Sequence, residues 1–533
     1  MTQKVTDDQL IEAYERLGGN ISAMSRELGV GRSTLIHRAK RLGLTRPLVG
    51  GQVSESRVSS RPLPKRGVKT YILSSVQNNT HVHTPVWENL QALAVHDNAE
   101  ILLSSFSYNR NAYGKLAVKR NTNSATEKDL WYDKEVEPYL EEGDHNIELA
   151  PGLVWCGRMN TLPTAQNPLS GFEAYTGRKS GILPHAKLAM ESIPSGKNEP
   201  TKFNYTTGTI TKRNYIQKTA GLKAEGHHCY GGLIVEVDSE GRWFVRQLMA
   251  DSKNRVWDWD RMVENGQVST GHHLEAITWG DAHVIQMDPM VRELAWGEGG
   301  VLDELRPRHQ FIHDMMVMAA RGHHEIRNPH KLFEHFVAGT DTVESEVQAC
   351  AAFLHEIQRD FCTTVVVNSN HDEMVERWLR EADYRQDPPN ALFFLQAQLA
   401  KYRALAEDDR DFHLVEHLLR EAGCDKAVKF LREDESYITC RDAQGGIENG
   451  NHGHLGPNGA RGSPSNLRRL ARKQNTCHTH GAGIKDELFT GGTSSLMDMG
   501  YNKGPGNWSH SHILTYQPGT RSIVTMWQGK CKA

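Results

Sequence analysis

Five short motifs rich in histidine, carboxylate and amide residues follow one another along the second half of the chain. They contain Asp281 and His283, Asp314, Asn370 and His371, His452 and His454, and finally His478 and His480. Histidine is frequent throughout the chain, with 27 residues against 14 Phe. Carboxylate, amide and imidazole groups together suit manganese, iron or zinc better than magnesium or calcium, which prefer oxygen ligands alone. The motifs therefore predict a metal centre.

Three of these motifs follow apolar or β-branched runs that predict strands. Residues 276–279 precede the first motif, a further apolar stretch precedes Asp314, and residues 363–367 precede Asn370. Ligands at the ends of strands lie along one edge of a sheet, where loops from separate elements converge. The spacing therefore predicts that distant parts of the chain meet in one pocket.

In this order the motifs resemble the calcineurin-like metallophosphoesterase superfamily, over about residues 275–529. The resemblance implies an α/β fold, a metallophosphoesterase-type sheet sandwich flanked by helices. Asp281, His283 and His480 fall on the ligands of a first metal, and Asp314 on the carboxylate that bridges both metals. Asn370, His452 and His478 fall on the second metal, with His454 as an alternative to His452. His371 falls on the histidine that protonates the leaving oxygen, so His371 and Asp314 are the expected catalytic residues.

The implied cofactor is a pair of divalent ions, with manganese favoured and iron or zinc as alternatives. Two such ions about 3.5–4 Å apart bind the attacking and the leaving oxygen of a phosphoryl displacement. His313, Ser369 and Cys477 stand where the superfamily has glycine; they remove no ligand but add bulk beside the metals. In the glycine-rich loop 452–462, His454 and Arg461 are candidate substrate-binding residues, and an ordinary flexible loop is the alternative.

The first 70 residues form a basic segment, with 13 Lys or Arg and six Asp or Glu in a chain whose net charge is −3. Residues 20–44 resemble a helix-turn-helix of the Fis and resolvase kind, whose third helix lies in the major groove of DNA. The expected DNA-facing residues are Arg32, Ser33, Thr34, His37, Arg38 and Arg41. A small helical bundle that contacts protein is the alternative.

The chain of 533 residues is long enough for several domains. We predict a DNA-binding domain over 1–46, a flexible linker over 47–70, an additional α/β region over 71–271 and a metallophosphoesterase domain over 272–533. A helical pair near 388–422 is expected to cap the site or to form an oligomer contact, with a homo-oligomer favoured. No run approaches the roughly 18 apolar residues of a membrane helix, and the scattered cysteines predict reduced thiols. These features predict a cytoplasmic protein that does not bind membranes.

The region 71–271 begins with a predicted β-α-β unit over 71–106 and contains a predicted hairpin over 232–248. Its loop Gln77–His83 contains an Asn-x-His sequence at the end of a strand. This loop is a degenerate duplicate of the metal motifs, a source of substrate contacts, or a chance match.

Four functions compete for such a chain. A DNA nuclease combines metal-dependent phosphodiester hydrolysis with a basic DNA-binding module. The whole-chain organisation is also similar to that of tailed-phage pre-early proteins, which implies degradation of host DNA in the bacterial cytoplasm. The alternatives are a small-substrate phosphatase or cyclic-nucleotide phosphodiesterase, a non-catalytic DNA-binding takeover protein, and a protein phosphatase. The N-terminal module favours the nuclease.

Overall fold

The computed structural model describes most of the chain, and the residues outside the description are few and grouped. The described residues are 5–17, 21–42, 44, 58–108, 131–141, 146–197, 199–322, 326–442 and 445–533. The chain divides into two compact units. The first runs from Met1 to Ser54 and includes the short turn Ala174–Gly177, and the second contains the remainder.

The first unit contains three short helices, as predicted. They are α1 (Asp7–Arg16), α2 (Ile21–Leu28) and α3 (Arg32–Arg41). Thr6 caps α1, since its hydroxyl accepts from the Gln9 backbone while the Gln9 side chain accepts from the Thr6 backbone. Apolar side chains from all three helices share one small core, in which Leu10, Met24 and Leu35 are buried.

The second unit is built from ten helices and twenty-four strands among the described residues. The helices are α4 (Thr84–His96), α5 (Thr219–Glu225), α6 (Pro289–Trp296), α7 (Val301–Leu305), α8 (Pro329–Ala338), α9 (Val343–Glu356), α10 (Met374–Glu381), α11 (Ala391–Ala406), α12 (Leu414–Glu421) and α13 (Pro464–Leu467). The first twelve strands are β1 (Val58–Ser60), β2 (Val68–Gln77), β3 (Glu100–Phe106), β4 (Asn146–Ala150), β5 (Leu153–Trp155), β6 (Ser180–Leu183), β7 (Met190–Ile193), β8 (Lys202–Thr206), β9 (Gly231–Asp238), β10 (Trp243–Met249), β11 (Val256–Asp258) and β12 (Arg261–Glu264). The others are β13 (Gln267–Ser269), β14 (Ala276–Thr278), β15 (His309–Ile312), β16 (Thr363–Val366), β17 (Lys429–Phe430), β18 (Ile438–Thr439), β19 (Ile447–Glu448), β20 (Gln474–Thr476), β21 (Gly483–Lys485), β22 (Leu488–Thr490), β23 (Ser511–Thr515) and β24 (Arg521–Thr525).

Two sheets of the second unit lie edge to edge. One has six strands in the order β17-β16-β15-β14-β23-β24, and the other has four in the order β10-β9-β2-β3. The Gln247 side chain joins the edges, because its Oε1 accepts from the Ile523 backbone while the Ser522 hydroxyl accepts from the Gln247 backbone. The strands β14, β15, β16 and β17 run parallel, so their carboxyl ends meet along one edge.

A large sheet packs against this layer. Its eleven strands follow the order β1-β4-β5-β6-β8-β7-β21-β22-β20-β19-β18. A shared core contains buried side chains from all three sheets, including Leu233, Ile182, Ile484 and Ile513. On the opposite face of the six-stranded sheet, α6, α7, α9, α10, α11 and α12 cover a second core. The observed fold is thus a mixed α/β sandwich of sheets with helices on the outside.

Several predicted local elements are confirmed. The β2-α4-β3 unit has parallel strands, and the predicted hairpin over 232–248 is the antiparallel pair β9-β10. The predicted helical pair corresponds to α11 and α12. α12 does not project as a cap, because Leu414 and Leu419 are fully buried in the main core.

The predicted domain boundaries need correction. The segment 47–57 of the predicted linker lies outside the described residues, but its remainder contains β1 and the start of β2, which pair in sheets. The boundary predicted at residue 271 is crossed by the large sheet, where β7 pairs with β21. A Pro-, Gly- and Ser-rich composition predicts a linker, but it does not exclude that part of the segment pairs as β-strand. The pairing of strands on either side of residue 271 cannot be recognised from the local sequence.

One arrangement of hydrogen bonds occurs twice in this unit. Ser75 bridges Thr209 in parallel, and Asp281 bridges Thr493 in the same way. The Thr209 hydroxyl donates to the Ser75 carbonyl at 2.7 Å, and the Thr493 hydroxyl donates to the Asp281 carbonyl at 3.0 Å. A helix with proline in its first turn, α4 or α6, follows each strand. Ser75 and Asp281 therefore occupy matching positions in the two hydrogen-bond arrangements.

Within the described part of the chain, no helix combines the length and apolar character needed to cross a bilayer.

Candidate metal centre

The first motif begins directly after β14, where the backbone of Gly280 packs closely against the backbone of Gly492 and Thr493. A Cβ atom on Gly280 would lie 2.7 Å from the backbone nitrogen of Thr493, so this position accepts only glycine. The next residue, Asp281, donates its backbone N–H to the Gly492 carbonyl. The approach carries the Asp281 side chain into the buried interior at the end of the sheet.

Four motif residues have left-handed backbone conformations. The φ angles are 43° at His283, 45° at Asp314, 72° at His478 and 57° at His480. Each such conformation costs a non-glycine residue of the order of 1–3 kcal/mol and persists only where the surrounding structure fixes it. Their concentration at the motif residues marks this pocket as a site whose geometry is maintained at the expense of stability.

The motifs predicted for the first metal meet in one buried cluster. One ligand atom from each of Asp281, His283, Asp314 and His480 lies within 4.8 Å of the others. The Nε2 atoms of His283 and His480 are 3.1 Å apart, and His480 Nε2 is 3.0 Å from an Asp281 carboxylate oxygen. All four side chains are at most 5% exposed.

A second group of motif residues shares Asp314 with the first. His452 Nε2 lies 3.3 Å from Asp314 Oδ2 and 3.1 Å from Asn370 Oδ1. The ring of His478 lies 5.2 Å from that of His452, and the His478 backbone N–H donates to Asp281. Asp314 therefore lies between the two groups.

The residues present fit a metal ion. Two carboxylates and two imidazoles are a donor set for manganese, iron or zinc. Three of their buried polar atoms, Asp281 Oδ1, His283 Nδ1 and His480 Nδ1, have no hydrogen-bond partner among the described residues. Unsatisfied buried polar groups are costly, and two facing imidazole nitrogens beside carboxylates are stabilised when a cation lies between them.

The electrostatics of the cluster favour the metal-binding forms of His283 and Asp314, but the protonated form of His452. Burial keeps the pKa of His283 well below its ordinary value, although the Asp314 carboxylate acts in the opposite direction. Burial alone would raise the pKa of Asp314, but His452 and His371 hold it well below its usual range. For His452, burial lowers the pKa, yet Asp314 and Asp281 raise it to about 9. Without a metal, the protonated His452 ring supplies positive charge beside Asp314.

His371 lies at the edge of this cluster. Its backbone N–H donates to Asp314 Oδ1 at 3.3 Å, and its ring lies 4.7 Å from that of His283. Its Nδ1 atom has no hydrogen-bond partner among the described residues. The ring therefore lies beside the cluster without a hydrogen bond at Nδ1 among the described residues.

The two residues predicted to bind substrate differ in position. His454 lies beside the cluster, where its ring is 5.4 Å from that of His452 and its Nε2 is 3.7 Å from a Glu373 carboxylate oxygen. Because His452 contacts Asp314 and Asn370 while His454 faces Glu373, the geometry favours His452 as the ligand. Arg461 lies in an exposed loop, and the described contacts do not bring its side chain to the cluster.

The predicted DNA-facing set of α3 needs one correction. Thr34, His37 and Arg41 are exposed. Arg38, by contrast, is only 23% exposed, since its guanidinium pairs with Asp7 of α1 and donates to the Val5 carbonyl at 2.9 Å. Its length lets it reach back across the bundle, which helical spacing alone does not reveal. The side chains of Arg32 and Ser33 lie outside the described residues.

Sequence reasoning missed several residues of the pocket. Asp372 is buried, accepts from the Met316 backbone and from Ser369, and has its pKa raised to about 7 by burial and by Asp314. His313, noted only as added bulk, contacts His452 with 3.3 Å between their Nδ1 atoms.

Two aromatic residues beside the cluster were also missed. The Trp508 ring packs edge-on to His480, with 4.2 Å between the ring centroids, and Tyr501 contacts Trp508. No motif spacing signalled the two aromatic residues, because they lie in a loop that the strand pattern does not mark.

A comparison with known proteins places this chain beside a phage protein. "Protein A1" of Escherichia phage T5 is 36% identical to it over 474 residues, which are 87% of this chain and 82% of that protein. No protein-family model matches the chain. No solved structure matches it either.

Proposed function

The chain belongs to the family of Protein A1 of Escherichia phage T5, and on that premise we propose that it is a phage-encoded, metal-dependent DNA nuclease. The observation that carries this proposal is the buried cluster of Asp281, His283, Asp314 and His480. The resemblance of the ordered motifs to the metallophosphoesterase superfamily supports phosphodiester hydrolysis as the reaction.

Two divalent ions, with manganese favoured over iron or zinc, would supply Lewis-acid stabilisation of the attacking and leaving oxygens. Asp281, His283 and His480 would hold the first ion, while Asn370, His452 and His478 would hold the second. Asp314 contacts members of both groups, His452 at 3.3 Å and His283 at 3.9 Å, which supports a bridging role.

The residues of the chain have distinct tasks in this proposal. Buried carboxylates and imidazoles fix the ligand positions, because the surrounding structure holds His283, Asp314, His478 and His480 in left-handed conformations. His371 lies beside the ligands and donates a proton from its ring to the leaving oxygen. His454 stands at the rim of the cluster, where it would contact the phosphate.

DNA is the proposed substrate because the chain carries a separate helical module with basic residues. Exposed Arg41, Thr34 and His37 on α3 would contact DNA, and phosphate neutralisation would supply most of the affinity. A phosphatase for small substrates has no use for such a module. The proposed site of action is host DNA in the bacterial cytoplasm.

We also propose a homo-oligomer formed through α11. One face of this helix exposes four apolar side chains, Leu392, Leu399, Tyr402 and Leu405, each at least 50% exposed. Their spacing of three and seven residues puts them on one face, and an apolar stripe of this kind suits a self-complementary contact between two copies.

The deciding experiment compares DNA and small esters with the full chain loaded with Mn²⁺. Linear and circular DNA, p-nitrophenyl phosphate and bis(p-nitrophenyl) phosphate are incubated with the wild type, with His371→Ala and with Asp314→Ala. We expect DNA cleavage, a loss of about 10²–10⁴-fold in kcat for His371→Ala with the metal retained, and loss of activity together with metal for Asp314→Ala.

Two results would overturn the nuclease. Turnover of the small esters with DNA left intact would indicate a small-substrate phosphoesterase. Tight, salt-dependent binding of duplex without hydrolysis of any ester would indicate a non-catalytic DNA-binding protein.

A further inference from the structure

An aromatic wall separates the metal centre from a largely apolar cavity of the second unit. The cavity has a volume of about 380 Å³ and lies between the large sheet and the edge strands β10 and β24. Trp508, Trp527, Trp243 and Phe203 line it, with Lys197 and Asn502 toward the surface loops. Trp508 is also the residue whose ring lies 4.2 Å from that of His480. The Trp508 indole therefore lines the cavity and also contacts His480 of the cluster.

The loop that carries Trp508 offers a second aromatic ring. Tyr501 is 48% exposed, and its ring lies 5.9 Å from that of Trp508 in an edge-to-face arrangement. Burial, followed by the charges of Asp314 and Asp281, raises the pKa of Tyr501. His480, Trp508 and Tyr501 thus form a continuous run of rings from the cluster toward the surface.

This environment suits a flat aromatic ligand attached to an anion. Nucleobases stack on exposed aromatic side chains regardless of sequence, because every base has a π face. The cavity volume falls in the range of sites for small organic ligands and is too small for a base pair with its backbone. The exposed Lys503 of the same loop adds positive charge nearby. A phosphate at the metal centre would place its own nucleoside within reach of the shared wall.

We infer that Tyr501, Trp508 and the cavity behind Trp508 form a subsite for one unpaired nucleobase of the strand that is cleaved. This inference rests on the proposed nuclease function and names its substrate more closely. The substrate at the metal centre is single-stranded, or is a frayed or opened duplex, and the base next to the scissile phosphate leaves its stack to enter the subsite.

The test uses the full chain with Mn²⁺ and single-stranded oligonucleotides in which one abasic site is moved along the sequence. For the wild type we expect one abasic position near the cut to lower kcat/KM by roughly 5- to 100-fold, the range of a lost base–aromatic stack. Trp508→Ala and Tyr501→Ala should lose this dependence, whereas Tyr501→Phe should keep it. Trp131→Ala, which removes another exposed aromatic ring, is the matched control and should also keep it. Metal content is measured for each variant, because Trp508 contacts His480.

Three outcomes would overturn the inference. The wild type would be insensitive to an abasic site at every position, the alanine variants would keep the full penalty, or intact duplex would be cleaved as fast as single strands. If DNA is not cleaved at all, the nuclease proposal fails separately, and the subsite is judged by inhibition of bis(p-nitrophenyl) phosphate hydrolysis. A deoxynucleoside monophosphate should then inhibit at least fivefold more strongly than deoxyribose 5-phosphate, and equal inhibition would reject the subsite.

Discussion

The Nε2 atoms of His283 and His480 lie 3.1 Å apart although 197 residues separate them in the chain. Both rings are buried, and both backbones are in the left-handed region. Two imidazoles meet in this way at little cost when a cation accepts both lone pairs, and the adjoining Asp281 and Asp314 carboxylates supply the negative charge that such a cation needs.

Substitution of a carboxylate in this cluster should remove metal binding. Asp281→Ala should weaken Mn²⁺ binding by more than about 100-fold, because loss of a ligand costs at least as much as loss of its supporting hydrogen bond. Ser75→Ala is the matched control, since Ser75 occupies the corresponding position in the first copy of the arrangement. The dissociation constant is measured by titration calorimetry. Equal affinities for Asp281→Ala and the wild type would contradict the assignment of this cluster.

Metal binding should depend on pH through His452. Its pKa is raised to about 9 from 6.5 in the metal-free protein. A raised pKa means that protonation favours the folded state, so this stabilisation is complete below about pH 6.5 and is lost as the pH rises through 9. A metal needs the neutral ring, so Mn²⁺ affinity should increase over the same window while metal-free stability decreases.

Thermal melts with and without Mn²⁺ at several pH values measure both trends. His452→Asn supplies the control, because it keeps a polar side chain but cannot titrate. Mn²⁺ affinity that stays constant between pH 6.5 and 9, or that shows the same slope in His452→Asn, would exclude this role.

The sequence predicted which residues come together better than it predicted the fold around them. Asp281, Asp314 and the later histidines follow short buried strands, and the parallel order β14-β15-β16 brings their ends together, as alternation and motif order imply. The sequence did not predict that β7 pairs with β21, since pairing between strands nearly 300 residues apart depends on tertiary packing. Trp508 and Tyr501 were missed for a related reason: an irregular loop has no periodicity.

Two substitutions in α3 should have different effects, one on the affinity for DNA and the other on the stability of the first unit. Arg41→Ala should weaken binding to duplex DNA and lower the slope of log affinity against log salt by about 1, because an exposed cation is lost. Arg38→Ala should instead lower the free energy of unfolding of this unit by about 1 kcal/mol, because its bonds to Asp7 and Val5 are lost. Arg16→Ala removes the same charge from α1 and is the control.

Fluorescence anisotropy at several salt concentrations and chemical denaturation measure the two quantities. An unchanged salt slope in Arg41→Ala, or the same loss of affinity in Arg16→Ala, would argue against α3 as the DNA-contacting helix.

The exposed face of α11 should control assembly. Leu399→Glu places a charge in the centre of the apolar stripe and should convert an oligomer into a monomer in sedimentation velocity experiments. Leu470→Glu is the matched control, because Leu470 is exposed to a similar extent, 52% against 50%, but lies outside the helix. A wild-type chain that sediments as a monomer at micromolar concentration would rule out this contact.

Ser75 and Asp281 occupy matching positions in the two hydrogen-bond arrangements, but they should differ in the substitutions they tolerate. In a saturation mutagenesis screen, position 75 should accept other small residues, since Ser75 is fully buried and its only side-chain bond among those described is to the Gly208 carbonyl. Positions around Asp281 should accept almost none if the screen selects for activity. In related chains, substitutions should then accumulate faster at position 75 than at position 281.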